Sequence, residues 1–419
     1  MNILNKRISI PVAGVVILAV ALFFVFKKTD VNPTAQGLVL PDEFKIEIYA
    51  DKLDGPRVIE FDNRGRMLVS QTKAGNVLII EDKDKNGSIQ DDEKSILLNN
   101  LKSPHGLAFY TNKKTNKTYL YVAETNQVNR YVYDITQGKI TGKGENILKL
   151  PDDGKHFTRT IAFGPNFRKE PILSGNQGQG INTLTDIKLY ISVGSSCDVC
   201  IEDTWKRAVI MESDPEGSYM AEFAGGLRNS VFFTFNPDTK EIWATEMGRD
   251  NLGDNMPPDE INIIKAPDKS DEFGAKRYGW PFCYGNKIKD TSFVPGKYTR
   301  TDIYEDCSKT MTPVIEIPAH SAPLGLAFIK SEKFPSDWQG DLIVAYHGSS
   351  NKSEPTGYKI ARFKKDNSGN YKYAGDLVSG WLKDGKISGQ PVDLKFGSDG
   401  VLYVSDDYAG LIYKIIFTN

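Results

Sequence analysis

The sequence predicts an all-β fold, a six-bladed β-propeller preceded by an N-terminal transmembrane anchor helix. Short apolar segments of one type recur six times, at intervals of roughly 50–100 residues. They are residues 66–70, 119–123, 188–192, 241–245, 341–345 and 401–405. Each follows another apolar segment and a turn, and a polar loop and a third apolar segment come after it. Repeats of this kind favour a propeller with about four strands per blade. An array of β-sandwiches is the alternative.

The propeller is expected to occupy residues 41–419. The early apolar segment 44–50 stands apart from the six repeats and is predicted to complete the last blade, which would close the ring. Residues 29–40 are interpreted as a linker.

Residues 1–28 are predicted to form the anchor. The segment 8–26 carries no charged side chain and lies between two basic pairs, Lys6-Arg7 and Lys27-Lys28. Its 19 residues fall within the roughly 17–25 that a membrane-spanning helix needs. A cleaved secretory signal is the alternative, although no small-residue cleavage site follows the apolar run.

The charge balance bears on the choice of partner. The chain has 52 basic and 54 acidic residues and a formal net charge of −2. Because binding to nucleic acid depends on many lysine and arginine contacts to phosphate, a nucleic-acid partner is not expected.

The four histidines all fall at loop positions of the repeat. His105, His156 and His320 precede first strands of predicted blades, and His347 follows a second strand. In an antiparallel blade these two loops lie at the same end of the sheet. The same position holds Arg228, Ser195, the segment 248–250 and the pair 406–407. Since histidine titrates nearest neutral pH, an active site at this end is the first hypothesis.

A second motif predicts a calcium site. Residues 82–93 match the EF-hand loop, in which Gly87 would make the sharp turn and Glu93 would supply the bidentate carboxylate. The expected side-chain ligands are Asp82, Asp84, Asn86 and Glu93, with Ser88 binding through its carbonyl oxygen. A solvated acidic hairpin tip is the alternative.

The cysteines form two close pairs, Cys197/Cys200 and Cys283/Cys307. An even number of cysteines in an exported chain favours two disulfides. A four-cysteine zinc site is the alternative, and the absence of a histidine after Cys200 excludes haem attachment.

At several of these positions the chain resembles the glucose/sorbosone dehydrogenase family, and the sorbosone-dehydrogenase-like branch is the nearest. Members of this family are six-bladed propellers that bind pyrroloquinoline quinone (PQQ). The resemblance rests on the order of the stretches 103–109, 156–165, 192–200, 226–229, 243–254, 257–262, 278–285, 318–325 and 391–394.

The resemblance implies a PQQ-dependent sugar dehydrogenase. His156 would remove a proton from a sugar hydroxyl while hydride passes to the quinone, and Arg228 would bind the cofactor and offset developing charge. A calcium ion would bind the Gly248 and Arg249 carbonyls, with Asp250 as a further ligand. The disulfides, the calcium motif and the family's extracytoplasmic habit together place the propeller outside the cell membrane, held by the predicted single-pass anchor. The resemblance also implies a sugar as substrate and an unspecified electron acceptor.

The chain departs from the best-known members of the family at the cofactor. His105 stands where they have a glutamine, and cationic clamps are missing around His347 and Gln390. Arg159, Arg249 and Lys359 are the candidates to replace them. Two other functions stay open: a non-catalytic, calcium-binding propeller that binds carbohydrate or protein, and a metal-dependent lactonase.

Overall fold

Apolar runs separated by glycine-containing turns fold into six sheets, each one blade of a propeller. Every blade has four antiparallel strands, and one blade gains a short parallel fifth strand. A computed structural model describes residues 35, 37–168, 185–268, 271, 274–297, 305–349 and 351–418. Among these residues no helix is long and apolar enough to cross a membrane. The predicted anchor, 1–28, and most of the predicted linker lie outside them.

The strands follow one another through the blades in chain order. Strand β1 (Phe44–Ala50) comes first, and blade 1 contains β2 (Pro56–Phe61), β3 (Met67–Gln71), β4 (Asn76–Ile80) and β5 (Lys94–Leu98). Blade 2 contains β6 (Leu107–Asn112), β7 (Lys117–Glu124), β8 (Gln127–Asp134) and β9 (Lys139–Lys149). Blade 3 contains β10 (Ile161–Pro165), β11 (Ile187–Val193), β12 (Val209–Ser213) and β13 (Met220–Gly225).

Blade 4 begins with β14 (Phe233–Phe235), β15 (Ile242–Glu246) and β16 (Asp259–Ile264). An insertion with β17 (Lys276–Arg277), β18 (Cys283–Tyr284) and β19 (Ile288–Lys289) precedes its last strand, β20 (Ile315–Ile317). Strand β17 adds a parallel fifth strand to blade 3. Blade 5 contains β21 (Pro323–Phe328), β22 (Leu342–Tyr346), β23 (Lys359–Lys365) and β24 (Tyr371–Val378).

The hairpin of β25 (Leu382–Lys383) and β26 (Lys386–Ile387) leads into blade 6, with β27 (Pro391–Phe396), β28 (Leu402–Asp406) and β29 (Leu411–Phe417). Three short 3-10 helices, Asp91–Glu93, Cys307–Lys309 and Ser336–Trp338, lie between strands. The six predicted repeats coincide with β3, β7, β11, β15, β22 and β28, so the predicted six-bladed propeller is confirmed.

The two ends of the described chain close the ring. Strand β1 pairs antiparallel with β29, from Phe44 opposite Phe417 to Ala50 opposite Ile412, and forms the outer strand of blade 6. The Phe44 ring contacts Phe417 and also Trp338 of blade 5. The predicted closure by residues 44–50 is therefore confirmed.

A hydroxyl group near the end of the second strand joins neighbouring blades. In blade 6 the Ser405 Oγ accepts a hydrogen bond from the Asp393 amide (3.0 Å) and donates one to the Arg57 carbonyl of blade 1 (2.6 Å). In blade 4 the Thr245 Oγ1 donates to the Leu324 carbonyl of blade 5 (2.8 Å). The second strand therefore fixes the position at which the next blade's first strand begins.

Ser405→Ala should lower the free energy of unfolding by about 1–3 kcal/mol, because it leaves the buried Asp393 amide and Arg57 carbonyl without this partner. Urea denaturation followed by circular dichroism measures the change. The control is Ser95→Ala, at an exposed position of β5, which should stay within about 0.5 kcal/mol of wild type. Equal stability of all three proteins would contradict the proposed role of Ser405.

Candidate active site

The propeller topology gathers the predicted site residues at one end of the central channel. Loops that precede first strands and follow second strands lie at this end, which we call the mouth. His105, His156 and His320 occupy loops of the first kind and His347 a loop of the second. The four histidines are therefore at the same end of the ring.

His156 lies in the loop before β10, against the loop after β11. Its Nδ1 is 2.8 Å from the Ser195 carbonyl oxygen and 3.0 Å from the Ser195 Oγ. A carbonyl oxygen only accepts, so Nδ1 carries the proton and Nε2 keeps its lone pair. Burial, followed by the positive charge of Arg228, lowers the pKa of His156 to about 4. The imidazole is therefore neutral at pH 7.

Two buried arginines support the His156 loop. The Arg159 Nη1 donates to the His156 carbonyl (2.9 Å) and its Nη2 donates to the Pro151 carbonyl (2.7 Å). Arg207 donates to the carbonyl and carboxylate of Asp153 in the same loop. Arg159 is fully buried, and this burial lowers its pKa to about 9. Its guanidinium donates to main-chain oxygens inside the protein and holds the His156 loop, while its expected role as a cofactor clamp stays a prediction.

Arg228 and Asp250 meet at Asp198, a residue that sequence reasoning did not select. The Arg228 Nη2 lies 2.8 Å from the Asp198 Oδ1 and 3.4 Å from the Asp250 Oδ2. The Asp250 amide donates to the same Asp198 oxygen (2.8 Å), and the Trp280 indole donates to the Asp198 carbonyl (3.1 Å). Asp198 stands between two cysteines of a recognised motif, which is the only sequence signal that pointed to it.

The segment 248–250 is held in place by the buried carboxylate of Asp259. The Asp259 Oδ1 accepts the Gly248 amide (2.8 Å), and its Oδ2 accepts the Ala322 amide of the next blade (2.9 Å). Burial raises the pKa of Asp259 to about 7. Among the described residues, no hydrogen bond reaches the Gly248 or Arg249 carbonyl oxygen. Both carbonyls therefore keep free lone pairs, as a cation ligand requires.

Arg249 points toward the insertion of blade 4. Its Nη1 pairs with Asp290 (2.8 Å), while its Nε is 3.8 Å from the Asp198 carboxylate. The Asp198 carboxylate therefore lies between Arg249 and Arg228.

A second polar group spans blades 5, 6 and 1. The His347 Nε2 donates to the Asp407 Oδ1 (2.9 Å), and the Arg57 Nη1 donates to the Asp407 Oδ2 (2.5 Å). The Gln390 Nε2 is 3.3 Å from the His347 Nδ1. Arg57 was missed by sequence reasoning, although Pro56-Arg57 opens β2 at the mouth and Pro104-His105 lies just before β6.

His105 and His320 have different surroundings. His105 is fully buried, and its Nδ1 lies 3.4 Å from the Thr160 Oγ1, whose hydrogen is donated to the Val231 carbonyl. Burial holds the pKa of His105 well below its usual value, and its Nε2 has no hydrogen-bond partner within the described structure. The His320 Nε2 lies 2.9 Å from the Gly253 carbonyl and so fixes the loop after β15.

The structure does not bring Lys359 into this group. Its side chain extends along blade 5 to Asp376 (3.0 Å) and Tyr373 (3.5 Å), both on the outermost strand. The cofactor contact expected of Lys359 stays a prediction, and the side chain pairs with the outer strand because the third strand begins in the outer half of the blade.

The predicted calcium loop connects β4 with β5, at the end of the propeller opposite the mouth. One carboxylate oxygen each of Asp82, Asp84 and Glu93 lies within 4.8 Å of the others. The Asn86 side chain hydrogen-bonds within the loop, to Asp84 and Ser88. The amide of Ile89, which follows Ser88, donates to the Tyr49 carbonyl of β1 (2.7 Å). The loop is thus attached to the ring-closing strand.

Both cysteine pairs are disulfide-bonded, Cys197 with Cys200 and Cys283 with Cys307. No free cysteine remains in the described chain, so the four-cysteine zinc alternative is wrong.

Comparison with known proteins supports the fold and identifies the family. A Borreliella burgdorferi protein described as uncharacterized is 30% identical over 389 residues, 91% of either chain. The PQQ-dependent pyranose dehydrogenase of Coprinopsis cinerea is 24% identical over 416 aligned positions, which include 89% of this chain. The chain spans about half the length of that enzyme, 53%.

Solved structures superpose over the whole propeller. The iodide structure of Trichoderma reesei Carbohydrate-Active Enzymes Family AA12 matches with a TM-score of 0.69 and 20% identity, over 91% of this chain and 98% of that one. The holo PQQ domain of the Coprinopsis cinerea pyranose dehydrogenase matches with a TM-score of 0.68 and 21% identity, over 92% and 98%. A family model described as TrAA12-like matches residues 38–417, and the chain therefore belongs to the TrAA12-like family.

Proposed function

We propose that this protein is a PQQ-dependent oxidoreductase that oxidises a hydroxyl group of a sugar. One observation carries the proposal: a neutral imidazole with a free Nε2, His156, lies in the mouth near the guanidinium of Arg228. The family assignment and the names of the Coprinopsis enzyme and its holo domain support the same cofactor and substrate class.

The donor set of the mouth fits PQQ, a planar tricarboxylate. Arg57 and Arg228 offer charged donors, and Gln390 offers an amide. Two buried nitrogens, the Arg57 Nε and the His105 Nε2, have no hydrogen-bond partner within the described structure. Residues that would hold the cofactor are therefore Arg57, His105, Arg228, His347 and Gln390.

The charges of the mouth support the proposal that the cofactor binds together with a cation. The arginines of the mouth are outnumbered by the aspartates paired with them: Arg57, Arg228 and Arg249 against Asp198, Asp250, Asp290 and Asp407. Because a tricarboxylate adds further negative charge, a divalent cation would offset it. Calcium bound by the Gly248 and Arg249 carbonyls and the Asp250 carboxylate meets this need with oxygen ligands. A calcium structure of the Trichoderma reesei protein supports this choice of ion.

When bound, PQQ would supply the two-electron acceptor for hydride leaving the sugar carbon. The His156 Nε2 accepts the proton of the sugar hydroxyl, and the Ser195 carbonyl keeps this nitrogen unprotonated by binding Nδ1. Arg228 places positive charge where negative charge grows on the oxidant. Asp198 and Asp250 fix the orientation of that guanidinium.

We also propose that residues 1–28 anchor the propeller at the extracytoplasmic face of the cell membrane. Two disulfides in the propeller support an oxidising compartment. The uncharged segment 8–26 supports retention in the membrane.

Cofactor reconstitution of the detergent-purified full-length chain tests the catalytic proposal. Addition of PQQ and calcium should give a shifted quinone absorbance, and aldoses should then reduce an artificial dye. A chelator added before PQQ should prevent the shift. Carbohydrate binding without any quinone shift would favour the non-catalytic propeller, and metal-dependent lactone hydrolysis would favour the lactonase.

We propose a separate structural calcium ion in the loop 82–93. Glu93→Gln should remove it, because Glu93 holds the position of the bidentate ligand. Wild type should gain about 2.7 kcal/mol at calcium 100-fold above the dissociation constant, if the unfolded chain does not bind. Melting curves in calcium and in chelator measure the gain, and Asp366→Asn in an exposed turn serves as the control. If calcium raised the melting temperature of wild type and Glu93→Gln equally, the loop 82–93 would be an acidic turn that binds no ion.

A further inference from the structure

We propose that the Cys197–Cys200 disulfide sets the geometry of the mouth. It fixes the backbone of Asp198, and Asp198 in turn holds Arg228 and the 248–250 segment. Asp198 is thus a positioning residue, and its effect on the cofactor rests on the proposed function.

Asp198 lies inside the short ring that the disulfide closes. Its carboxylate accepts from the Arg228 guanidinium and the Asp250 amide, both at 2.8 Å. Its carbonyl accepts from the Arg228 Nε (3.0 Å) and the Trp280 indole (3.1 Å). Main chain and side chain of one residue therefore bind partners from three other segments, which requires a fixed backbone.

The same ring also reaches the His156 side of the mouth. The Ser195 Oγ donates to the Cys197 carbonyl (2.6 Å), and both oxygens of Ser195 face the His156 Nδ1. Since the Ser195 hydrogen is committed to Cys197, the Ser195 Oγ can only accept from the imidazole. The disulfide ring is thus connected to the proposed base, His156, as well as to the guanidinium of Arg228.

The size of the ring argues against stabilisation as its main role. The Cys197–Cys200 disulfide joins residues only 3 apart, whereas Cys283–Cys307 joins residues 24 apart. In the chain-entropy account a disulfide stabilises less as its loop becomes shorter. Cys197 and Cys200 are also partly exposed, while Cys283 and Cys307 are buried. The short disulfide is therefore expected to restrict local geometry more than it opposes unfolding.

The test compares Cys197→Ser/Cys200→Ser with Cys283→Ser/Cys307→Ser in the full-length protein. Hydrogen–deuterium exchange of the cofactor-free proteins reports on the Asp250 amide, through peptides that span 248–252. We expect about ten-fold faster exchange in the first variant and unchanged exchange in the second, since one charge-assisted hydrogen bond is lost. The second variant should show the larger fall in melting temperature.

PQQ titration in calcium, followed by quinone absorbance, is the second readout. The first variant should bind PQQ at least about ten-fold more weakly, because Asp198 no longer holds the Arg228 guanidinium in a fixed position. Unchanged exchange at Asp250, or unchanged PQQ affinity beside a binding wild type, would overturn the proposal. If wild type itself binds no PQQ, the proposed function fails, and the exchange result alone decides whether Asp198 is held by the disulfide.

Discussion

His156→Ala should lower sugar-dependent dye reduction by about 10²–10⁴-fold, the usual cost of removing a general base. PQQ binding should be largely retained, because the imidazole contacts Ser195 and offers the cofactor no fixed charge. Steady-state kinetics of the reconstituted protein measures the first effect, and quinone absorbance measures the second.

The pH dependence gives a second check on His156. Its pKa is lowered to about 4, so kcat/KM of wild type should rise as the pH increases through about 4 and remain level near neutrality. His320→Ala is the matched control, since that imidazole binds the Gly253 carbonyl and should not carry the catalytic proton. Near-full turnover of His156→Ala would assign the base to another group, with His347 the first to examine.

Arg228→Ala should weaken PQQ binding and slow turnover together. The guanidinium is buried and shared between Asp198 and Asp250, so its loss removes a cofactor cation and leaves two carboxylates without their partner. Loss of a charge-assisted hydrogen bond is worth about 1.5–3 kcal/mol, or roughly 10–100-fold in affinity. Titration with PQQ at saturating calcium measures this change.

Arg228→Lys should recover only part of the affinity, because an ammonium cannot bind the carbonyl and the carboxylate of Asp198 with a planar fork. Arg64→Ala is the control, at an exposed turn between β2 and β3 away from the mouth. An unchanged dissociation constant for Arg228→Ala would place Arg228 outside the cofactor site.

The sequence was sufficient to predict the strands and the loops that end at the mouth. Apolar alternation and turn glycines are local signals, so residues 401–405 could be assigned to a strand without knowing their neighbours. The clustering of the Asp82, Asp84 and Glu93 carboxylates was predictable in the same way, because all three come from the short segment 82–93, while calcium binding there stays a prediction. The phase of His156 in its repeat likewise predicted which end of the blade it occupies.

Contacts between blades were not predictable in this way. Asp198, Arg57 and Asp259 act on partners from other loops, and only the assembled ring decides which loops meet. Lys359 shows the same limit: it follows a mouth loop in sequence, yet its partner Asp376 lies on the outer strand, which the sequence did not indicate. Arg57 alone could have been found, by aligning Pro56-Arg57 with Pro104-His105.

The pairing of β1 with β29 has a consequence for the order in which the protein matures. Blade 6 is complete only when the outer strand from the start of the propeller meets three strands from its end. The Arg57–Asp407 ion pair joins residues 350 positions apart and depends on the same event. A growing chain emerging from the ribosome therefore has no complete mouth until its final blade is synthesised, and a cofactor that contacts both polar groups must be loaded after that point.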